Sequence, residues 1–213
     1  MCGVFAGAFL YSGIREKNIS AVIFKGLASC CFAVTGLLLS PGTRTADLIL
    51  SGLVTGCLAD VVIELKKVFT KKAQVPFLIG CFLFFVGHIM YIAAVFLLSS
   101  HKALCIAAAV ILTPILMSWV FRRINVDRTL KIVGIVYIGT VLLLNFAAFS
   151  NLIEAPSAFN WIFSAGALLF LASDILLVLN TFGSEYSQKI KNFYIGIYYA
   201  GQLLIALSLK YLG

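Results

Sequence analysis

The sequence consists of apolar runs of membrane-spanning length that are separated by short polar breaks. A helix needs about 20 apolar residues to cross the hydrocarbon core of a bilayer. The chain has 213 residues, of which 62% are apolar and 11% charged, whereas soluble domains carry about a quarter charged residues. These features exclude a water-soluble globule and predict an all-α, polytopic membrane bundle.

The apolar runs predict eight helices, the first of them short. We place them at 1–14, 20–39, 46–64, 76–99, 102–121, 130–149, 157–180 and 192–211. Pro41-Gly42 and Pro156 lie in the breaks, and Pro76 opens the fourth helix. Residues 1–213 are therefore interpreted as a single transmembrane domain.

Lysine and arginine concentrate in alternate breaks. One set holds twelve of them: Arg15, Lys17, Lys66, Lys67, Lys71, Lys72, Arg122, Arg123, Arg128, Lys131, Lys189 and Lys191. The other set holds three: Arg44, Lys102 and Lys210. The positive-inside rule then predicts cytoplasmic basic loops and two non-cytoplasmic termini, in the inner membrane if the source is bacterial. Topology and anionic lipid headgroups explain the net charge of +8, so nucleic acid is not an expected partner.

The two halves of the chain, about 1–100 and 101–213, show weak internal similarity. At an offset of 114 residues, Gly52 aligns with Gly166, Asp60 with Asp174, Gly87 with Gly201, and His88 with Gln202. Units that lie four helices apart have the same orientation. The alignment therefore predicts a parallel tandem repeat of four helices.

A few polar side chains lie at membrane depth. They are Lys25, Asp60, His88, Tyr91, Asp174, Tyr198, Tyr199 and Gln202. An ionised group at the bilayer centre costs at least about 2.5 kcal/mol on insertion scales, so such groups need partners or a cavity. The predicted topology puts nearly all of them in the cytoplasmic half of the membrane, where they can share one pocket that opens to the cytoplasm.

Structural roles for these groups stay open at this point. Lys25 is a natural counter-ion for Asp60 or Asp174, and the two aspartates can form a network that fixes helix packing. His88 is as consistent with a packing histidine as with a catalytic one. Glu64, beside Lys66-Lys67, is best explained as a lysine-paired interfacial charge.

No cofactor or metal motif is found. The six cysteines form no CxxC pair, and the chain has two histidines, of which His101 lies in a loop on the opposite side. Because catalytic zinc normally takes three protein ligands, this composition argues against an intramembrane zinc hydrolase.

Motifs in five helices resemble the YhhN-like lysoplasmalogenase family over nearly the whole chain. They are Phe24-Lys25-Gly26, Gly56-Cys57-Leu58-Ala59-Asp60, Gly87-His88-Ile89-Met90-Tyr91, the run from Gly166 to Asp174, and Tyr198-Tyr199-Ala200-Gly201-Gln202. Two departures are visible, since the family commonly has Lys-Pro at Lys25-Gly26 and Gly-Asp at Ala59-Asp60. Both change backbone packing and keep the polar residue.

The resemblance implies hydrolysis of the vinyl ether bond of a lysoplasmalogen, giving a fatty aldehyde and glycerophosphocholine or glycerophosphoethanolamine. Asp60 and Asp174 are then the expected acid and base, in an order that the sequence does not assign. The expected substrate-binding residues are Lys25, His88, Tyr91, Tyr198, Tyr199 and Gln202. Lysophospholipid and membrane lipids are the expected partners, and homo-oligomerisation stays open.

Two other functions compete with this one. Tandem repeats with acidic groups at membrane depth also describe small lipid-binding proteins and proton-coupled transporters. A hydrolase of lysolipid esters or amides would use the same site, because no residue pattern in the sequence is specific for a vinyl ether.

Overall fold

The computed structural model describes residues 2–14, 18–69 and 73–212. These residues form eight α-helices, which confirms the predicted helical bundle. The helices are α1 (Cys2–Ile14), α2 (Asn18–Leu39), α3 (Arg44–Glu64), α4 (Gln74–Leu98), α5 (Lys102–Phe121), α6 (Arg128–Glu154), α7 (Ala158–Phe182) and α8 (Gln188–Ser208).

Seven of the helices, α2 to α8, are long and apolar enough to cross a membrane. The first helix has 13 residues, which is shorter than the span of about 20 that a bilayer requires. The predicted boundaries lie close to the observed ones except at the start of α8, which was expected at residue 192, and at the end of α6, which was expected at residue 149. The α6 helix continues to Glu154, and in its last turn the side-chain amide of Asn151 donates to the Val95 carbonyl of α4 at 2.8 Å.

Short polar side chains cap the N-termini of four of the spanning helices. The side-chain oxygens of Thr43, Asp127, Ser157 and Ser187 each accept a backbone N–H from the first turn of the helix that follows. Such caps satisfy N–H groups that have no partner within the helix. The break between α2 and α3 turns at Gly42, whose φ of 70° favours a residue without a side chain.

The most deeply buried span is α8, which packs against α7, α2, α3 and α1. The other main contacts join α1 to α2, α2 to α3, α3 to α4, α5 to α6, α6 to α7, and α4 to α6. We call the end of the bundle where α3, α5 and α7 finish and α4, α6 and α8 begin the basic end. It carries Lys66, Lys67, Lys131, Lys189 and Lys191.

Glycines let two pairs of helices approach closely. A Cβ on Gly87 of α4 would lie 3.2 Å from the Gly52 carbonyl oxygen of α3. A Cβ on Gly201 of α8 would lie 2.8 Å from the Gly166 carbonyl oxygen of α7. These pairs are the ones that the 114-residue offset superimposes, and the tandem repeat itself stays a prediction.

We expect Gly201→Ala to destabilise the protein. Its methyl group would clash with backbone atoms, at 2.8 Å from the Gly166 oxygen and 3.2 Å from the Phe170 nitrogen, so α7 and α8 must move apart. Overpacking of this kind costs roughly 1–3 kcal/mol. Gly196→Ala on the same helix is the matched control, because its Cβ meets nothing within 4 Å. Thermal unfolding in detergent checks both variants, and equal melting temperatures would contradict the close crossing.

Candidate active site

A cavity of about 300 Å³ opens at the basic end of the bundle. We call the part of its lining at the basic end, formed by Lys66, Lys67, Tyr186 and Lys191, the mouth, and the rest of the lining is mainly apolar. The apolar lining includes Phe77, Phe84, Met117, Phe121, Ile138, Leu177 and Val178. The volume is at the lower end of the range of ligand pockets, roughly 300–1,000 Å³.

Asp60 lies on one wall of this cavity, one turn before the end of α3, and is 2% exposed. Its Oδ1 is 3.2 Å from the Nζ of Lys25 on α2. Its Oδ2 accepts hydrogen bonds from the Ser29 hydroxyl at 2.5 Å and the Tyr198 hydroxyl at 2.6 Å. A cation and two donors together satisfy an ionised carboxylate that is shielded from water.

Glu64 extends this ion pair towards the mouth of the cavity. It lies one helical turn after Asp60, is buried, and pairs with Lys67. Its other carboxylate oxygen is 3.7 Å from the Nζ of Lys25. The lysine pairing expected for Glu64 is therefore present, and Lys25 serves as counter-ion to Asp60 and Glu64 at once.

Asp174 lies on α7, also in the cavity lining, and is 7% exposed. It forms no ion pair with the described residues, and its buried Oδ2 has no hydrogen-bond partner among them. Tyr137 of α6 lines the cavity beside it. The preceding residue, Ser173, donates to the Tyr194 carbonyl at 2.9 Å and so fixes α7 against α8 at this level. A buried carboxyl group without a cation in apolar surroundings favours its neutral form.

Two of the three tyrosines expected in the site, Tyr198 and Tyr199, line the cavity. Aromatic rings hold Tyr198 in place, with Phe84 at 6.1 Å and Phe170 at 5.4 Å between ring centroids. The Tyr199 hydroxyl donates to the Lys25 carbonyl at 3.4 Å and lies 3.5 Å from the Ser29 hydroxyl. They therefore connect α8 to the polar residues of α2 and α3.

The other three expected binding residues, His88, Tyr91 and Gln202, lie outside the set of described residues that line the cavity. The Tyr91 hydroxyl donates to the Gln202 side chain at 3.0 Å, which links α4 to α8 in the buried core. The Nδ1 of His88 is 2.7 Å from the Phe84 carbonyl oxygen, and its ring stacks edge-on against Phe170. These contacts place the three residues in the buried core, and their part in substrate binding stays a prediction.

Ser29 and Tyr137 belong to the site and were not singled out from the sequence. Ser29 follows Lys25 by four residues, so both lie on one face of α2, and that spacing was a usable signal. Tyr137 stands within an apolar run and carries no such spacing signal.

An apolar cleft between α4 and α6 adjoins the cavity. It is lined by Leu78, Cys81, Phe82, Phe85, Ile132, Val133, Val136 and Tyr137. Cys81, Val133 and Tyr137 line the cavity as well, so the two spaces share a wall. Phe82 and Val136 are exposed, which is typical of side chains that face lipid in a spanning helix.

A family model matches most of the chain. The model of the YhhN family matches residues 20–209, which include both aspartates and all of the spanning helices except the first two residues of α2. The chain belongs to the YhhN family. Neither the curated proteins nor the solved structures contain a match to the chain.

The buried ion pair predicts a large stability effect at Lys25. Lys25→Met leaves Asp60 and Glu64 without their shared cation, and breaking a buried pair in this way costs about 3–5 kcal/mol. We expect Lys25→Met/Asp60→Asn to recover part of the loss, because it removes the unpaired charge. The free energy of unfolding in detergent measures both, with Lys102→Met on the exposed start of α5 as the control. A Lys25→Met variant as stable as this control would refute the pairing.

Proposed function

We propose that this YhhN-family membrane protein is an intramembrane hydrolase that cleaves the vinyl ether bond of lysoplasmalogens. The proposal rests on two carboxyl groups that line one apolar cavity and have different partners. Asp60 has a cation and two hydroxyl donors, whereas Asp174 has no cation. Hydrolysis of a vinyl ether needs such a pair, with one group to give a proton and one to take it.

In the first step, Asp174 in its protonated form acts as the general acid. Its proton goes to the alkene carbon that is distal to the ether oxygen, and the carbon–carbon double bond becomes a single bond. The carbon attached to oxygen is then part of an oxocarbenium cation. The Asp174 carboxylate left behind and the Asp60 carboxylate stabilise this cation, much as two carboxylates do in glycoside hydrolysis.

In the second step, Asp60 acts as the general base. Water adds to the oxocarbenium carbon and gives a proton to the Asp60 carboxylate, which forms a hemiacetal. The hemiacetal then collapses: Asp60 returns that proton to the departing glycerol oxygen, and the hemiacetal hydroxyl gives its proton to Asp174. One water is consumed, a fatty aldehyde and a glycerophospho-base are released, and both carboxyl groups regain their starting states.

The residues around the two aspartates are consistent with an acid role for Asp174 and a base role for Asp60. Lys25, Ser29 and Tyr198 contact the Asp60 carboxylate and fix its orientation, which suits a group that accepts a proton from water. The apolar cavity wall and the adjoining cleft between α4 and α6 offer space for a single hydrocarbon chain. The basic loops that the positive-inside rule assigns to the cytoplasm would let substrate enter from the cytoplasmic leaflet.

We expect Asp60→Asn and Asp174→Asn each to lower kcat for vinyl ether hydrolysis by roughly a hundredfold or more, the scale of general acid–base catalysis. Fatty aldehyde release from lysoplasmalogen by the purified protein measures this. Asp47→Asn is the matched control, because Asp47 is exposed in the first turn of α3, at the opposite end from Asp60. The mechanism is wrong if either active-site variant stays folded and keeps near-normal turnover.

Substrate analogues separate this function from its competitors. The corresponding lyso-ester lipid and the saturated ether lipid have the same headgroup and lack the vinyl ether. Aldehyde from lysoplasmalogen alone supports the proposal. Fatty acid from the ester indicates an esterase, and the absence of any product indicates a carrier or lipid-binding protein.

A further inference from the structure

We propose that Lys66 and Lys191 at the mouth of the cavity bind the phosphate group of a single-chain lipid whose hydrocarbon chain lies in the apolar cavity. The proposed function enters only in the identity of the hydrocarbon chain, which would belong to a lysoplasmalogen. The phosphate site is separate from the two aspartates, and Lys66 and Lys191 would form it.

The charges that line the cavity do not balance. Four lysines, Lys25, Lys66, Lys67 and Lys191, face three carboxyl groups, Asp60, Glu64 and Asp174. The imbalance is larger when Asp174 is protonated. A surplus of positive charge within walls of low polarity favours an anionic ligand.

The surplus is located at two of the four lysines. Lys25 and Lys67 each pair with a buried carboxylate. Lys66 and Lys191 form no ion pair with any carboxylate of the described residues. They are therefore the cations of the cavity lining that an anion can bind without breaking an existing pair.

Both lysines are held partly out of water. Lys66 lies in the 3-10 turn that follows α3, with its Nζ 5.2 Å from the centre of the Phe77 ring. Lys191 lies in the first turn of α8, a helix that begins at the Ser187 cap. Each is intermediate in exposure, whereas Lys189 is exposed and does not line the cavity. Partial burial strengthens a contact between an ammonium group and a phosphate.

The spacing also suits a lipid with a short backbone. Lys66 follows Asp60 by six residues, which corresponds to roughly 9 Å along a helix axis. Lys191 precedes Tyr198, the hydroxyl donor to Asp60, by seven residues or roughly 10 Å. A flexible lysine side chain covers part of this distance. A glycerol unit then bridges the rest, with its ether end at the carboxylates and its phosphate at the mouth.

Binding of analogues that cannot be hydrolysed tests the site without any catalysis. The probes are a saturated 1-O-alkyl lysophosphatidylcholine and the 1-O-alkylglycerol with the same chain and no phosphate. Calorimetry of the full-length protein in detergent gives both dissociation constants. We expect Lys66→Ala/Lys191→Ala to raise the Kd for the phosphate-bearing lipid by roughly tenfold or more, since a charge-assisted contact is lost, and to leave the alkylglycerol unchanged.

Matched variants separate the phosphate contact from folding effects. Lys189→Ala removes an exposed charge two residues before Lys191 and should change neither affinity. Lys66→Arg/Lys191→Arg keeps both charges and should bind the phosphate-bearing lipid more tightly than the double alanine variant. Equal weakening of both lipids, or no weakening of either, would overturn the proposal.

Two further results identify the source of the phosphate and keep the proposals apart. Glycerophosphocholine, which lacks the chain, should bind far more weakly than the lipid. If it binds equally well, the site serves a soluble phosphate and the lipid assignment is wrong. A wild-type protein that binds the alkyl lipid through these lysines and leaves lysoplasmalogen intact would support the phosphate site and refute the vinyl ether hydrolase.

Discussion

The ion pair between Lys25 and Asp60 is the constraint on which the rest of the site depends. An ammonium group and a carboxylate at membrane depth are each costly, and they are stable here because they meet at 3.2 Å. Ser29 and Tyr198 add hydrogen bonds to the same carboxylate, so α2, α3 and α8 converge on one group. Lys25 is the only cation of α2, and it pairs with Asp60 and Glu64 of α3. Asp174 on α7 has no paired cation among the described residues.

This unequal distribution of one cation between two acids explains the chemistry we propose. A carboxylate with satisfied oxygens suits the base, and a carboxyl group in apolar surroundings suits the acid. Lys66 and Lys191 at the mouth of the cavity have no carboxylate partner among the described residues, and we propose them as the anion site. The proposed acid, base and anion site therefore differ from one another in how their charges are paired.

The positions of the helices could be predicted from hydropathy, because a backbone in lipid must satisfy its own hydrogen bonds within helices. The depth of Lys25, Asp60 and Asp174 was predictable for a similar reason, since so few charges stand in apolar runs. The sequence could not show which aspartate pairs with Lys25. The pairing depends on how each helix is rotated about its axis. Close helix crossings, such as that between Gly201 and Gly166, fix this rotation.

The same limit applies to the neutral polar groups. His88 and Gln202 have the depth of site residues, yet they face the core behind the cavity, whereas Tyr137 of α6 faces into it. Periodicity defines a face of a helix but does not say which neighbour covers that face. The contact between Asn151 of α6 and the Val95 carbonyl of α4 could not be predicted for the same reason.

The proposed mechanism requires Asp174 to carry a proton before the reaction begins. Infrared spectroscopy in light and heavy water tests it most directly, because the C=O stretch of a protonated carboxyl group is separate from carboxylate bands and shifts on deuteration. The account predicts a protonated-carboxyl band that is lost in Asp174→Asn and retained in Asp60→Asn. A band lost in Asp60→Asn and retained in Asp174→Asn, or no such band in the wild-type protein, would contradict it.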